Sequence, residues 1–476
     1  MSALLLALIL AVPAAGAAVF RGENCAACHE ALLKKSPGLD PELLPGRYDA
    51  VVVGGGLSGL FAGYRLRDLK VLVLEKEAAA GGHAQVGGWK GLPYPISAAY
   101  MPKPSGRLAG VLRELGVTPQ KIPGPRNALS IQAKVVFDFW DEGVDALPMR
   151  AREKRGLRRL IAELKAIEAR GVLDAPGESR EGRKLLKTRF SKFLKVYGST
   201  AAFWTDRYCL DVFGAGSKEV SAWAGLYYLY GVLDDSYTWD GGMGRVSEAL
   251  AGELGPRLLT GATVLEVVSG KDGVRVVFER GGVRHMVLAE TAVIAVPPHV
   301  ARKILKPIPG KIDRALRRIK SSAYAVAIVR FKRPVWTRSY ALWSNDTIFT
   351  ELTFPSWLTG RKKGPQLAVA YLPFGADDEA RRRLSRWDDS RLIRRVLNDI
   401  ERILPGAPES VEGVRVIRWG HAMPVPGPGH FKRIAPLVKG GRRVFFAGEA
   451  TAYPAIEGAF ESAQRAAGQA RDALRN

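Results

Sequence analysis

The chain has 476 residues, 47% of them apolar and 25% charged, which allows two or more globular domains and excludes an extended disordered chain. Its 71 Lys and Arg against 47 Asp and Glu give a formal net charge of +24, which favours acidic partners or an anionic membrane surface. The basic residues are spread along the chain without a zinc-finger, RNP or KH pattern, so no nucleic-acid partner is expected.

The first twenty residues, MSALLLALILAVPAAGAAVF, are an apolar run that ends in a proline and small residues. This pattern is typical of an export signal, and the run is also just long enough to act as an uncleaved anchor. We therefore expect residues 1–20 to direct export, leaving the protein periplasmic or anchored with its bulk facing the periplasm. A buried helix is the alternative.

Residues 21–46 contain two of the three cysteines, in the motif CAACH at 25–29, and end in a Pro/Gly-rich linker. In such a motif the two thiols attach haem covalently and the histidine is an axial ligand of the iron. We predict haem c on Cys25 and Cys28 with His29 on the iron, held against the following domain because the segment is too short to enclose a haem. A Cys25–Cys28 disulfide or half of a metal site are the alternatives.

A dinucleotide-binding motif follows. Residues 50–53 are a continuous apolar run, as a buried parallel strand requires, and a glycine-rich turn leads from them into a helix. Gly54 permits the tight turn, Gly56 lets the backbone approach a pyrophosphate, and Gly59 allows the helix to pack closely on the strand. An acidic residue at the end of the next strand is placed to accept a hydrogen bond from a ribose hydroxyl. The predicted nucleotide-binding residues are Gly54, Gly56, Ser58, Gly59 and Glu75.

The middle of the chain is basic and then aromatic. Residues 149–195 are rich in Arg and Lys around one apolar stripe, which predicts solvated helices packed on a core, with a membrane-facing basic helix as the alternative. Residues 200–240 are rich in Phe, Tyr and Trp. Most of these aromatic side chains are expected in the core, and some are expected to line an apolar substrate pocket. Cys209 is expected to be a small buried hydrophobe.

The last part of the chain reads mainly as β-structure. Residues 258–296 alternate as a β-meander that ends in a buried strand, and residues 320–372 predict further strands. A strand in RRVFFAGEA and the helix after it are expected to return to the opening sheet. Before this strand, the loop GHAMPVPGPG contains His421 and Met423, which are candidates for a second axial ligand of the haem.

Three blocks of sequence resemble the flavin-containing amine oxidase superfamily, which includes phytoene-desaturase-like and protoporphyrinogen-oxidase-like enzymes. The blocks are GGGLSGLFAGYRL…VLVLEKEAAAGGHAQ, GATVLEVV and RVFFAGEATAYPAIEGAFESAQRAA. The resemblance spans roughly residues 46–476 and implies an α/β fold, with a Rossmann-like FAD-binding domain interleaved with an α+β substrate domain. It further implies that FAD is contacted by Gly82, His83, the backbone of Val264, Gly448, Glu449, Ile456, Gly458 and Ala459.

We expect the two domains to alternate along the chain. The FAD-binding parts are 47–105, 237–300 and 437–476. The substrate-domain parts are 106–236, which is helical, and 301–436.

Three positions depart from the family pattern. His83 stands where an arginine often follows two glycines, Val326 where amine oxidases place a lysine beside flavin N5, and Ala455 where an aromatic residue flanks the substrate nitrogen. The fold and the FAD site are therefore expected to carry over, whereas oxidation of a simple primary amine is not. Tyr453 is a candidate to replace the missing aromatic wall.

The sequence therefore predicts an exported FAD-dependent dehydrogenase that takes a hydride from a small organic substrate. Electrons would pass onward, through haem c where it is attached, to an acidic cytochrome or a quinone, and the basic surface would suit such an acceptor or a membrane face. The first alternative is an oxygen-using flavin oxidase with a Cys25–Cys28 disulfide. The second is a binding protein whose FAD is structural. The sequence does not identify catalytic residues.

Overall fold

The computed structural model describes residues 19–20 and 41–475. The predictions for Cys25, Cys28 and His29, and for residues 1–18 of the export signal, therefore lie outside the described residues. The strands are β1 (Val19–Phe20), β2 (Glu42–Val53), β3 (Val71–Leu74), β4 (Val86–Trp89), β5 (Leu92–Pro95), β6 (Tyr100–Pro102), β7 (Gln120–Lys121), β8 (Asn127–Ile131), β9 (Lys134–Phe137), β10 (Ser236–Thr238), β11 (Leu258–Leu259), β12 (Thr263–Ser269), β13 (Val274–Arg280), β14 (Val283–Ile294), β15 (Leu305–Lys306), β16 (Ala323–Phe331), β17 (Ala341–Ser344), β18 (Glu351–Thr353), β19 (Gln366–Gly375), β20 (Val411–Trp419) and β21 (Val444–Phe446).

The α-helices are α1 (Leu57–Arg65), α2 (Gly106–Glu114), α3 (Ala151–Ala169), α4 (Arg180–Leu185), α5 (Phe190–Leu194), α6 (Ser199–Phe213), α7 (Ala222–Leu233), α8 (Gly244–Leu254), α9 (Pro298–Ile304), α10 (Gly310–Arg317), α11 (Asp378–Arg386), α12 (Asp389–Ile403), α13 (His430–Lys439) and α14 (Ile456–Arg475). Short 3-10 helices cover Glu142–Ala146, Lys195–Tyr197, Gly255–Arg257, Pro355–Thr359, Pro408–Ser410 and Glu449–Thr451. In the described ranges, no helix combines the length and the apolar character needed to cross a membrane.

One sheet is built around the expected nucleotide-binding strands, in the order β11-β3-β2-β14-β13-β12-β15, with β21 also paired to β14. Strands β11, β3, β2, β14 and β21 run parallel, whereas β12, β13 and β14 form the expected antiparallel meander. Apolar residues of α1, α8 and α14 pack on one face and those of α9, α10 and α13 on the other. This double cover explains the unbroken apolar run of β2.

A second sheet has the order β1-β20-β16-β19-β18-β17-β8-β9. Helices α11 and α12 cover one face of it. The helical region α3–α7 forms a core together with β8, β9 and β17 of this sheet, and the predicted apolar stripe of Leu157, Leu160, Ile161 and Leu164 is buried in it. Short strand β1 pairs in parallel with β20, with Phe20 opposite Arg418.

Two expected boundaries differ from the structure. Strand β2 begins at Glu42, within the expected linker, because residues 42–43 pair with residues 285–286 of β14 and the register shift after them accommodates Pro45 and Gly46. Residues 301–317, assigned to the substrate domain, instead belong with the first sheet. There β15 pairs with β12, and the apolar side of α10 packs on the same core.

Candidate active site

The glycine-rich turn between β2 and α1 packs very closely against neighbouring backbone segments. Gly54 has a φ of +107°, and a Cβ there would lie 2.6 Å from the carbonyl oxygen of Ala295. A Cβ on Gly59 would lie 1.8 Å from the carbonyl oxygen of Gly54, so only glycine lets the helix approach the turn. A Cβ on Gly56, in contrast, would meet no heavy atom within 4 Å and would project into a cavity that Gly56 lines.

Glu75 is held at the end of β3 by backbone donors. Its two carboxylate oxygens accept hydrogen bonds from the N–H of Gly55, at 2.6 Å, and of Glu77, at 2.8 Å. Burial raises the pKa of this carboxyl, which is 7% exposed. Each oxygen keeps a further lone pair for a ligand hydroxyl, and the side chain lines the same cavity as Gly56.

This cofactor cavity runs along the carboxyl ends of the parallel strands. Most of the residues expected to bind the cofactor line it, namely Gly54, Gly56, Ser58, Glu75, Gly82, His83, Val264, Gly448, Glu449, Ile456 and Ala459. Gly59 and Gly458 are not among its lining residues. Gly458 is a packing glycine, because a Cβ there would lie 2.0 Å from the carbonyl oxygen of Tyr453. A dinucleotide fits this arrangement of three features. They are the open space at Gly56, the N-termini of helices α1 and α14, and the buried carboxyl group of Glu75.

His83 lies where the cofactor cavity adjoins a second one, and its ring packs on Trp419. The two rings meet edge to face with centroids 4.4 Å apart. His83 is fully enclosed, and burial lowers its pKa to about 4, so its imidazole is neutral at ordinary pH. It lines both cavities, as do Met243 and Ala422.

The second cavity, here called the substrate cavity, has a volume of about 420 Å³, within the usual range for small-molecule sites. Its aromatic lining consists of Tyr100, Tyr208, Tyr227, Tyr228, Tyr230, Tyr324, Trp343 and Tyr371. Four of these belong to the aromatic region 200–240, as expected. Trp204, Trp223 and Trp239 are in the core, whereas Phe203 is 52% exposed and belongs to neither group.

The substrate cavity is acidic, although the protein is strongly basic. Its carboxylic side chains are Glu168, Asp174, Asp211, Asp234, Glu351, Glu449 and Glu457. Arg126 and His83 are the basic side chains among its lining residues. Burial raises the pKa of Glu449 to about 8 and those of Asp211 and Glu457 to about 7.

Besides His83, the two other departures from the family pattern, Val326 and Ala455, fall in different places. Val326 is fully buried in a cluster with Trp419 and is not among the residues that line either cavity. Ala455 does line the substrate cavity, but Tyr453 does not; its ring packs on Tyr227, and its hydroxyl donates to Glu461 at 3.0 Å. Tyr228 from α7 lines the cavity instead and donates its hydroxyl hydrogen bond to the carbonyl of Pro454. Tyr453, the candidate for the missing aromatic wall, therefore does not line the cavity, whereas Tyr228 does.

Several lining residues were not expected from the sequence. Trp419, Met243, Pro297 and Phe446 line the cofactor cavity, as does His421, proposed above as a haem ligand. Met423, the other candidate, lines the substrate cavity. The carboxylates of that cavity come from segments far apart in the chain, so no local spacing could have grouped them. Within residues 19–20 and 41–475, no cluster of three or more His, Cys, Asp or Glu could hold a metal ion.

Comparison with known proteins agrees with this geometry. The family model described as flavin-containing amine oxidoreductase matches residues 57–471. The chain therefore belongs to this family and is an FAD-dependent oxidoreductase, with FAD as the dinucleotide that its cofactor cavity accommodates.

Individual relatives are distant. An L-amino acid dehydrogenase from Synechocystis is 25% identical over 315 residues, which cover 60% of this chain and 64% of that protein. Amine oxidase B from Cavia porcellus is 24% identical over 470 residues, covering 90% of this chain and 86% of that protein. The structure of wild-type putrescine oxidase bound to putrescine superposes with a TM-score of 0.70 at 20% identity, covering 90% of this chain and 99% of that one, which establishes a common fold.

Proposed function

We propose that this protein is an FAD-dependent dehydrogenase that oxidises a carbon next to the cationic nitrogen of an amine. The observation that carries the proposal is the substrate cavity itself: an aromatic, carboxylate-rich pocket that adjoins the cofactor cavity in a protein with a net charge of +24. Aromatic faces and carboxylates bind ammonium groups, and neither feature favours an anionic substrate.

Bound FAD supplies the hydride acceptor. The chain's own residues provide the setting for that step. The tyrosine and tryptophan rings hold the apolar body of the substrate and exclude water, while carboxylates at the helical side, such as Glu168 and Asp234, attract its charge. Neutral His83 lines both cavities and adds no positive charge beside the amine.

The expectation that simple primary amines are poor substrates rests on Val326 and Ala455. The acidic cavity supports the proposal that the substrate is an amine. Because Val326 and Ala455 replace the lysine and the aromatic side chain of amine oxidases, this amine is expected to be bound through other contacts than in those enzymes. Tyr228, adjacent to Pro454 and Ala455, is the side chain best placed to flank the reacting nitrogen.

An amino acid is the second candidate, given the dehydrogenase among the relatives. Its carboxylate would require a cation in the cavity. Arg126 lines the cavity, but its guanidinium donates to the carbonyls of Val232 and Asp234 and, at 3.0 Å, to the hydroxyl of Ser236. Because these hydrogen bonds already occupy the guanidinium of Arg126, the cavity favours amines without a carboxylate.

The test is anaerobic mixing of the flavin-loaded enzyme with a panel of amines, L-amino acids and neutral alcohols of matched carbon skeleton. Amines should bleach the visible flavin absorbance, and the alcohols should not. Reduction by alcohols or amino acids alone would contradict the assignment. If no member of the panel reduced the flavin of a well-folded protein, the structural-FAD alternative would be favoured.

We propose that electrons leave through a covalent haem on Cys25 and Cys28, ligated by His29, after export. The CAACH motif supports this route. The pairing of Phe20 with Arg418, the neighbour of Trp419, also supports it. Cys25 follows Phe20 by five residues, and that length of chain reaches about 17 Å at most. Hydrogen peroxide formed without any added acceptor, on a protein free of haem bands, would favour the oxidase alternative.

The acceptor is proposed to be an acidic cytochrome or a quinone at an anionic membrane face. The exposed apolar side chains Val196 and Phe203 belong to the helical region that also exposes Arg155 and Lys195, a combination that supports contact with such a surface. Sedimentation with anionic vesicles, and not with neutral ones, is expected. Equal binding to both vesicle types would contradict this electrostatic contact.

A further inference from the structure

Helices α9 and α10, with the residues that follow them, form a strongly basic surface, here called the α9–α10 surface (residues 298–321). It contains eight Lys or Arg residues, and Asp313 is its one acidic residue, so its net charge is +7 out of +24 for the whole chain. Asp313 pairs with Arg302 at 2.8 Å and with Arg317 at 2.7 Å. The six other cations are all exposed, namely Lys303, Lys306, Lys311, Arg314, Arg318 and Lys320.

The inner side of the same segment is a wall of the cofactor cavity. Its lining residues are Pro298, Val300, Ile304, Leu316, Ile319 and Ser321. Exposed Lys320 lies between two of these, Ile319 and Ser321, so one layer of chain separates the cavity from the basic surface at this point. A partner that binds there therefore comes close to the cofactor cavity without entering it.

A stacked pair of histidines joins the cavity to this surface. His421 lines the cofactor cavity, whereas His299, on α9, does not. The two ring centroids are 3.9 Å apart and the rings are 27° from parallel, so the pair extends from the cavity wall into α9. The cofactor cavity and the α9–α10 surface are thus connected by direct contact between side chains.

The start of α11, which adjoins this surface, has its charges paired. Asp378 pairs with Arg381 at 2.7 Å, and Glu379 pairs with Arg382 at 2.9 Å. Arg381 also donates to the backbone carbonyl of Ser321 at 2.9 Å, which holds α11 beside the α9–α10 surface. The α9–α10 surface has no such set of acidic partners, since its eight cations share one acid.

The composition of the α9–α10 surface favours an acidic protein over a lipid surface as its partner. Of the large apolar side chains that are exposed in the described ranges, none lies within residues 298–321. A membrane-binding helix combines cations with such side chains. Short-lived complexes between redox proteins instead have small interfaces, and complementary charge steers their encounter.

We propose that the α9–α10 surface is the docking site for an acidic redox protein that accepts one electron in each encounter. Loss of a hydride from one amine molecule yields two electrons, so two molecules of the acceptor are reduced, and the proton of the hydride is released to solvent. This inference rests on the proposed dehydrogenase function and names the place where its protein partner binds.

The experiment measures binding of an oxidised, acidic c-type cytochrome to the flavin-loaded enzyme by calorimetry at low salt. A basic c-type cytochrome of similar size is the control partner. The parent enzyme should bind the acidic cytochrome and not the basic one, and added salt should weaken the binding. Arg318→Glu with Lys320→Glu should raise the dissociation constant at least about tenfold, because like charges then face each other.

Lys362→Glu with Lys363→Glu is the matched control. Both lysines are exposed in the loop before β19 and line neither cavity. This variant makes the same change in net charge and should alter the dissociation constant by no more than about twofold. The comparison therefore separates a local docking site from the general attraction of a basic protein for an acidic one.

Lys311→Glu with Arg314→Glu, on α10, is a second docking variant and should weaken binding as the first does. It keeps the test usable if one double variant fails to fold, and a retained flavin spectrum identifies folded protein. Anaerobic reduction of the flavin by an amine should proceed at the parent rate in both docking variants, because none of the four substituted residues lines the cofactor cavity or the substrate cavity.

The outcomes separate docking from function. If amines reduce the flavin but both docking variants bind the acidic cytochrome as tightly as the parent, the docking site is wrong while the dehydrogenase stands. If the cytochrome binds through this surface but no amine reduces the flavin, the proposed function is wrong while the docking site stands. Absence of cytochrome binding to the parent overturns the docking site, and loss of sedimentation with anionic vesicles in the docking variants would then identify a lipid contact.

Discussion

Three glycines of one motif have separate physical roles, and substitution distinguishes them. Gly56 has a φ of −70° and open space at its Cβ position, so Gly56→Val should fold normally but place a side chain in the cofactor cavity. Its flavin content should fall at least about tenfold, since a clash with the pyrophosphate removes the close approach. Flavin absorbance per protein, after purification, measures the effect.

The matched variant Gly59→Val should behave differently. Its Cβ would meet the Gly54 carbonyl oxygen at 1.8 Å, so α1 must move and the protein should be destabilised whether or not flavin is present. Thermal unfolding of the flavin-free forms makes the comparison. A Gly56 variant that kept full flavin, or one as unstable as the Gly59 variant, would contradict these assignments.

Glu75 gives a second prediction at this scale. Glu75→Ala removes the acceptor for the N–H groups of Gly55 and Glu77 as well as any contact to a ribose. FAD binding should weaken by about 1–3 kcal/mol, the usual effect of removing one partner of a buried charged hydrogen bond. Titration of the flavin-free protein with FAD measures this. An unchanged dissociation constant would mean that Glu75 only braces the turn.

Residues of the cofactor cavity were largely predictable, whereas those of the substrate cavity were not. The glycines and Glu75 occur at fixed spacing because one strand, one turn and one helix must meet one pyrophosphate. Asp211 and Glu351 lie on different elements and become neighbours only through the packing of α6 against the second sheet. Tyr228 in place of Tyr453 is the same case, since its approach depends on the position of α7.

Among the elements, buried parallel strands were the most predictable. Residues 50–53 and 71–74 are covered on both faces, so their sequences are continuously apolar. The start of β2 was missed because Pro45 and Gly46 usually indicate a loop. There the parallel partner β14 tolerates them through a register shift, and that tolerance depends on a strand some 240 residues away.

Helix α13 gives a pH prediction. His430 is its first residue, and burial together with nearby Arg433 lowers the pKa of the imidazole to about 4. The unfolded state takes up a proton near pH 6.5 and the folded state only near pH 4, so stability is lost as the pH falls through this window. His430→Asn should reduce the loss between pH 7 and pH 5 by about 2 kcal/mol.

Denaturant unfolding of parent and variant at both pH values measures this difference. The variant is expected to be less stable than the parent at pH 7, because it loses packing, so the comparison concerns the change with pH and not the absolute value. If the two proteins lost equal stability on acidification, His430 would not be the buried neutral group described here.

At the scale of the whole molecule, the chain passes repeatedly between the cofactor sheet and the second sheet. The resemblance predicted this alternation. The sequence did not, however, show at which residue after β14 the chain leaves the cofactor sheet for the second sheet. Helices α9 and α10 each have a narrow apolar stripe with basic residues around it. This pattern suits either domain. Their place was decided by β15, which adds to the edge of the cofactor sheet.

The proposed haem gives a prediction that joins the N-terminal segment to the rest of the chain. Protein exported by a haem-ligating host should stay coloured in denaturant, because thioether bonds survive unfolding. Cys25→Ser with Cys28→Ser should remove that colour but leave FAD bound, since the predicted FAD-binding residues all lie between Gly54 and Ala459. Substrate should still reduce the flavin, while transfer to an external cytochrome slows. Equally fast transfer by the double variant would exclude a haem relay.

The opposite charges of the surface and of the substrate cavity have a consequence for encounter kinetics. A cationic amine approaching a body of charge +24 is repelled at long range and attracted only near the acidic pocket. Salt shortens the Debye length to about 8 Å at physiological ionic strength, which weakens the distant repulsion more than the attraction inside the pocket. The association rate constant for a cationic amine should therefore rise with ionic strength, and that for an acidic electron acceptor should fall.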